Sequence, residues 1–212
     1  MAVIHEQNGE IHFKIVYCGT PRGGKTSNLA YIHRRLDPRQ RGNLVSIATP
    51  QDRTVFFDLL PVTSFDFGRY RVRFQLYTVP GQSALSQTRE SVLQGADGIV
   101  FVTDSGAERR KANVVAWGEC REAMDTNGLR PDRCPIVFQH NKRDLPDALP
   151  PEEIDDDLGV SAPAWLACAT SGYQIFATLD ALTQMVLERF SRSGDWAERA
   201  ARVDPEPLAA AV

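Results

Sequence analysis

The sequence predicts an α/β fold of three layers: a mostly parallel, twisted sheet with one antiparallel hairpin strand, and helices on both faces. Short apolar runs alternate along the chain with longer segments of helical character, which is typical of βαβ units. Residues 98–104 form a nearly continuous apolar run, as expected of a central strand that is buried on both faces. Residues 70–77 instead alternate apolar and polar side chains, which predicts a hairpin strand with one polar face.

The remaining elements follow in order along the chain. Residues 1–12 are a polar lead-in, in which Ile11 either extends the first strand or belongs to a small hairpin. The first helix is expected to end near Leu36, because Pro38 cannot continue the hydrogen-bond ladder and restricts the residue before it. Strands are predicted over residues 13–18, 44–48, 64–67, 134–140 and 164–169, and later helices over residues 86–94, 108–125, 152–158 and 176–190.

Length and composition indicate one soluble domain. The chain has 212 residues, of which 42% are hydrophobic and 24% charged, so a well-buried core is expected without disulfides. We predict a domain over residues 1–192 and a weakly patterned tail over residues 193–212, flexible or partly helical. The net charge of −3 gives no basic field for nucleic acid. No transmembrane run, signal peptide or lipidation motif is visible, so a cytoplasmic protein without its own membrane anchor is expected.

The four cysteines support the same compartment. None of them forms a C-x-x-C pair, and most fall in or beside predicted buried elements. We interpret them as reduced core residues of a cytosolic protein. They are Cys18, Cys120, Cys134 and Cys168.

A glycine-rich loop joins the first predicted strand to a helix that begins near Ser27, and it fits the phosphate-binding pattern G-x-x-x-x-G-K-[ST]. Its glycines let backbone N–H groups turn toward a phosphate, and the helix N-terminus adds further donors. Lys25 is expected to reach the outer phosphates, and the Thr26 hydroxyl to bind Mg²⁺. The alternative is a chance match in a turn, against which the strand before it and the helix after it argue. The candidate phosphate-binding residues are Gly19, Thr20, Pro21, Arg22, Gly23, Gly24, Lys25, Thr26 and Ser27.

A second pattern, N-K-x-D, follows a predicted buried strand at Asn141–Asp144. An ionised Asp144 only accepts hydrogen bonds, and guanine offers two adjacent donors, its ring N–H and its exocyclic amine. Adenine would leave this carboxylate unpaired, so the pattern favours guanine when a phosphate loop is also present. Lys142 is expected to cover one face of the base, and Asn141 to tie this loop to the phosphate loop. Taken alone, the four residues would be an ordinary charged turn.

These polar segments follow predicted parallel strands. Ligands of α/β sheets bind at the carboxyl ends of the strands, so one pocket is expected to collect the segments. Ala169 and Thr170 in the last loop suit a backbone contact to the base oxygen, although that loop alone is no signal. The collected segments are the phosphate loop, Thr78–Gln82, Asp104–Ser105, Asn141–Asp144 and Ala169–Ser171.

Together these motifs resemble the Ras-like small GTPases, whose fold is the P-loop NTPase fold, and more closely the MglA-type bacterial GTPases of cell polarity and gliding motility. The resemblance covers roughly residues 10–190 and implies GTP and GDP as ligands with Mg²⁺. It rests on Lys14–Tyr17, Gly24–Thr26, Asp52–Thr54, Phe56–Asp58, Leu76–Gln82, Asp97–Gly98, Val100–Val102 and Asn141–Pro146.

The resemblance implies roles for two further segments. Thr54 resembles the switch threonine that meets Mg²⁺ and the γ-phosphate, so the implied metal ligands are Thr26 and Thr54. Gly81 would donate its N–H to the γ-phosphate, and loss of that contact on hydrolysis releases the loop. Gln82 resembles the residue that orients the attacking water, and Arg53 an arginine finger supplied by the chain itself. The alternatives are an exposed loop arginine and an exposed glutamine.

The resemblance also implies partners. An MglB-like homodimer of the roadblock/LC7 fold would bring Arg53 and Gln82 into place and so accelerate slow intrinsic GTP hydrolysis. Polarity or motility effectors would bind the GTP-loaded state, and the protein would be recruited to a cell pole. A GTP-binding scaffold without turnover is the alternative, against which the presence of Lys25, Thr26 and Thr54 with Gln82 argues. A P-loop kinase or ATPase is disfavoured by the guanine pattern.

The chain departs from the family pattern at two places, position 78 and the phosphate loop. Ras-like proteins usually carry aspartate where Thr78 stands, so one carboxylate near Mg²⁺ is missing, and either Asp52 or Asp58 is a candidate substitute. Within the phosphate loop, Pro21 removes one N–H and fixes φ. Arg22 is either a cation near the β- and γ-phosphates or a solvent-exposed side chain.

Overall fold

The computed structural model describes residues 2–48, 55–67, 69–79, 86–130 and 132–192. Within these ranges the chain forms eight strands and five α-helices. The strands are β1 (Val3–His5), β2 (Glu10–Gly19), β3 (Val45–Ala48), β4 (Val55–Phe67), β5 (Tyr70–Thr78), β6 (Gly98–Asp104), β7 (Ile136–Asn141) and β8 (Ala164–Leu166). The helices are α1 (Lys25–Arg35), α2 (Ser86–Leu93), α3 (Arg110–Thr126), α4 (Pro151–Leu158) and α5 (Ile175–Arg192).

All eight strands form one sheet. Its order is β3-β4-β5-β2-β6-β7-β8, and β1 pairs with the beginning of β2. The pairs β2/β5, β2/β6, β6/β7 and β7/β8 are parallel, whereas β4 is antiparallel to both of its neighbours and β1 is antiparallel to β2. The predicted fold class is therefore confirmed: β4 and β5 form the predicted antiparallel hairpin, and β1 adds a second, short antiparallel pair.

The central strands are buried on both faces, and successive side chains enter two different cores. On β2, Ile15 and Tyr17 face the core formed with α1 and α5. Val16 and Cys18 face the opposite core, formed with α2, α3 and α4. This two-residue alternation is a property of extended backbone, and it explains why the central strands are apolar throughout.

The element bounds differ from the predictions at a few places. Ile11 does both things considered for it, because β2 begins at Glu10 and β1 pairs with it as a hairpin. Strand β4 begins at Val55, nine residues before its predicted beginning at Ser64, because Leu60 and Val62 supply buried side chains on this earlier part. Strand β8 is only three residues long and ends at Leu166.

The topology places the functional loops together. Strands β2, β6 and β7 are parallel neighbours, so the loops after Gly19, Asp104 and Asn141 leave the same edge of the sheet. The predicted tail, residues 193–212, lies outside the described residues. Among the helices that are described, none is long and apolar enough to cross a membrane.

Candidate nucleotide-binding site

The phosphate loop runs from the end of β2 to the first residue of α1. Lys25, at the helix start, is buried and spans the loop, because its Nζ donates to the carbonyl oxygens of Gly19 at 2.8 Å and Thr20 at 2.9 Å. Burial lowers the pKa of Lys25 to about 8. A bound phosphate would favour the protonated form of this amine, so the lysine is suited to holding an anion.

Gly24 precedes α1 with a φ of +104°, a left-handed conformation that favours glycine. A Cβ at this position would lie 2.1 Å from Nδ2 of Asn141. That amide nitrogen donates to the carbonyl of Gly23 at 2.7 Å, and Oδ1 of Asn141 accepts from the backbone N–H of Ala169 at 2.9 Å. One buried side chain therefore joins three loops, those after β2, β7 and β8.

The cleft beside these contacts contains most of the residues expected to meet the base. Asp144, Ala169 and Thr170 line it together with Lys142, and Arg22 and Ser27 line it from the side of the phosphate loop. The Asp144 carboxylate offers hydrogen-bond acceptors in this cleft, in the way expected of a group that reads guanine. Arg22 is exposed and has a φ of +60°.

Cys168 is a residue whose contact the sequence reasoning missed. Its thiol lies 3.1 Å from Oδ1 of Asp144 and 3.1 Å from Oγ1 of Thr170, so it connects the two loops that face the base. Its position within a predicted apolar strand indicates only a core residue. The available signal was its position, one residue before Ala169 in the last loop.

Lys142 has a polar partner of its own. Its Nζ lies 2.6 Å from Oδ2 of Asp104, whose side chain is buried at the end of β6. The backbone of Lys142 has a left-handed φ of +65°. The hydrogen bond to Asp104 therefore holds the Lys142 side chain beside β6, and the left-handed φ defines the backbone turn at the same residue.

At the other end of the phosphate loop, Thr26 lies beside a buried carboxylate. Its hydroxyl donates to Oδ2 of Asp58 at 2.7 Å, and Ser46 donates to Oδ1 at 2.7 Å. Thr78, which occupies the usual aspartate position, donates to Oδ2 of Asp58 at 3.0 Å and accepts from the backbone N–H of Asp58 at 2.8 Å. These hydroxyl and carboxylate oxygens fit a hard cation such as Mg²⁺. A hydroxyl that donates a hydrogen bond to a carboxylate keeps its lone pairs available for the metal.

Of the two candidate carboxylates, the structure places Asp58 beside Thr26. Asp52 lies outside the described residues. The predicted residues Arg53, Thr54, Gly81 and Gln82 also lie outside the described residues.

Comparison with known proteins adds independent information. The model of the ADP-ribosylation factor (Arf) family matches residues 2–192. The chain is also 40% identical over 195 residues to the mutual gliding-motility protein MglA of Myxococcus xanthus strain DK1622. That match covers 92% of this chain and 100% of the relative, and it confirms the resemblance stated from the motifs.

Proposed function

Because this chain belongs to the ADP-ribosylation factor family of small GTPases, we propose that it is a GTP-operated switch. The GTP-loaded form binds partner proteins, and slow hydrolysis to GDP ends the signal. The protein acts in the control of gliding motility and cell polarity. The relative that is named for gliding motility supports this role, since it matches over its whole length.

The observation that carries the proposal is the joining of three loops by Asn141. The phosphate loop, the loop with Asp144 and the loop with Ala169 meet around one cleft through its two amide hydrogen bonds. A nucleotide in this cleft would present its phosphates to the glycine-rich loop and its base to the carboxylate. Guanine satisfies Asp144 with two donors, whereas adenine has an acceptor at the matching ring position.

Family resemblance assigns hydrolysis to two segments, one with Arg53 and Thr54 and the other with Gly81 and Gln82. Gln82 orients the attacking water, and Gly81 donates its N–H to the γ-phosphate. Arg53 supplies positive charge to the transition state. An MglB-like roadblock/LC7 homodimer places Arg53 and Gln82, and effectors of motility bind the GTP state. We place the protein in the cytoplasm, with recruitment to a cell pole.

The hydroxyls of Thr26 and Thr54 would hold Mg²⁺, and Asp58 would be the supporting carboxylate. When bound, Mg²⁺ neutralises charge on the β- and γ-phosphates. Asp58 accepts a hydrogen bond from the Thr26 hydroxyl and so orients the lone pairs of that oxygen. The carboxylate that Thr78 does not supply thus comes from the neighbouring strand β4, and the Thr78 hydroxyl holds it in place.

Asp58→Asn is expected to weaken magnesium-dependent retention of nucleotide. The variant keeps the shape of the side chain but loses the charge, and changes of groups that support metal ligands typically cost about 10- to 100-fold in metal affinity. The measurement is the dissociation rate of fluorescent GDP as a function of Mg²⁺ concentration. Asp156→Asn on α4, an exposed carboxylate, is the matched control and should follow the wild type. If the dissociation rate of Asp58→Asn depended on Mg²⁺ concentration as that of the wild type does, Asp58 would not support the metal.

The function as a whole is tested by nucleotide competition and single-turnover hydrolysis. GDP should displace bound fluorescent GDP, whereas ADP at the same concentration should not. Loaded GTP should be hydrolysed slowly, and faster with the cognate roadblock partner. Competition by ADP would contradict the guanine assignment. Tight GTP binding without turnover, with and without partner, would replace the switch by the non-hydrolysing scaffold.

A further inference from the structure

We infer that Arg109, which immediately precedes α3, and Asn113, in the first turn of α3, are positioning residues that hold the phosphate loop and connect it to the guanine-reading loop. The inference rests on the proposed function, because it concerns the same nucleotide site. The two residues are four positions apart, so they lie on one face of the helical segment. We call this pair, together with Asp104, the α3 brace.

Asn113 makes the first contact of the brace. Its Oδ1 accepts from the hydroxyl of Thr20 at 2.6 Å and from the backbone N–H of Asp104 at 3.0 Å. Its Nδ2 donates to the backbone carbonyl of Asp104 at 2.9 Å. Both Thr20 and Asn113 are almost fully buried, with exposed fractions of 0% and 2%, so these bonds are shielded from competing water.

Arg109 makes the second contact. Its guanidinium donates to the carbonyl oxygen of Pro21 at 2.7 Å, and its Nε lies 3.5 Å from Oδ2 of Asp104. A hydrogen bond from a charged donor is stronger than a neutral one. The guanidinium therefore fixes the phosphate-loop residue that follows Thr20, and the α3 brace holds two consecutive residues of the loop.

Asp104 extends the brace to the base. The same Oδ2 that approaches Arg109 lies 2.6 Å from Nζ of Lys142. A continuous polar path thus leads from Pro21 through Arg109 and Asp104 to Lys142. Displacement of the phosphate loop would break contacts of the loop that reads the base, so the two loops are coupled.

The need for a brace follows from the sequence of the loop itself. Pro21 has no N–H to donate and a fixed φ, and Arg22 has a left-handed φ of +60° that is uncommon for a side-chain-bearing residue. Such a conformation persists only where the surroundings hold it. Arg109 is bonded to the carbonyl just before Arg22, so it stabilises the turn that must present N–H groups to phosphate.

Removal of the guanidinium tests the brace in the full-length protein. Arg109→Ala should raise the dissociation rate of fluorescent GDP by about tenfold, the expected effect of losing one charge-assisted hydrogen bond. Arg109→Lys keeps a cationic donor and should restore most of the difference. Arg110→Ala is the matched control: its arginine is adjacent but pairs at the surface with Asp157 and Glu153, so the rate should stay within about twofold of wild type.

A second pair of variants isolates the other contact. Thr20→Val removes the hydroxyl at nearly constant volume and should also accelerate GDP release, and Thr20→Ser, which keeps the hydroxyl, should restore most of the difference. Competition with guanosine, which carries no phosphate, separates positioning from general damage. The brace predicts that Arg109→Ala loses affinity for GDP by a larger factor than for guanosine, while a merely structural role would lower both equally.

The outcomes separate the two proposals. If the wild type retains GDP and releases it at the same rate as Arg109→Ala and Thr20→Val, the brace is overturned and the proposed function stands. Equal acceleration by Arg110→Ala would also overturn the brace. If the wild type does not bind guanine nucleotide, the proposed function fails and the inference fails with it.

Discussion

Replacement of Arg53 with alanine is expected to lower partner-stimulated GTP hydrolysis by about 10³- to 10⁵-fold, the range of effects known for arginine fingers. Negative charge accumulates on the transferred phosphoryl group, and a guanidinium delivered by the chain stabilises it in a site from which water is excluded. The measurement is single-turnover hydrolysis of loaded GTP at saturating concentration of the roadblock partner. Intrinsic hydrolysis without partner should change little, because the finger is proposed to act only in the complex.

The control for this prediction is Arg39→Ala. Arg39 is an exposed arginine in the short 3-10 turn after α1, where it pairs with Asp37. It should leave the stimulated rate unchanged. Partner affinity is measured in parallel by titration, so that weaker binding is not mistaken for weaker chemistry. If Arg53→Ala is stimulated as strongly as the wild type, Arg53 is an ordinary loop arginine.

Asp144→Asn is expected to lower affinity for GDP by about 10⁴-fold and to create affinity for xanthosine diphosphate. A site built to bond particular donors rejects a ligand that leaves buried polar groups unpaired by factors of about 10⁴ to 10⁵. The asparagine amide places a donor opposite the exocyclic amine of guanine, where two donors then face each other. Xanthine carries an oxygen at that position, which accepts a hydrogen bond from the asparagine amide.

The measurement is competition of GDP and xanthosine diphosphate against a fluorescent nucleotide of each type. Asp147→Asn is the matched control, since Asp147 is an exposed aspartate only three residues further along the same loop. It should keep the preference for GDP. Unchanged GDP affinity in Asp144→Asn would show that this carboxylate does not read the base.

Much of the fold was predictable because its signals are local. The glycine-rich loop, the N-K-x-D pattern and the apolar strand of residues 98–104 each occupy a short stretch, and parallel topology then brings the loops to one edge. The beginning of β4 was missed, because its first residues carry no clear alternation and Pro61 interrupts the strand pattern. Burial of Leu60 and Val62 by the rest of the fold overrides that local signal.

The contacts of the site that could not be predicted join residues far apart in sequence. The bond between Thr20 and Asn113 spans 93 positions, and the one between Arg109 and Pro21 spans 88. Neither Arg109 nor Asn113 belongs to a recognisable motif. For the metal, the sequence leaves Asp52 and Asp58 as alternatives, and the pairing of β4 with β5 brings Asp58 to Thr78 and Thr26.

The carboxylate that β4 brings to Thr26 bears on how related chains are classified. A survey that requires aspartate at the position of Thr78 would count this chain among degenerate members that have lost the catalytic apparatus. In this chain the carboxylate of Asp58 stands on the adjacent strand, 20 positions earlier, and accepts a hydrogen bond from Thr78. Whether a related chain has lost its metal site is therefore better judged from the atoms that surround the residue at the position of Thr26 than from a single alignment position.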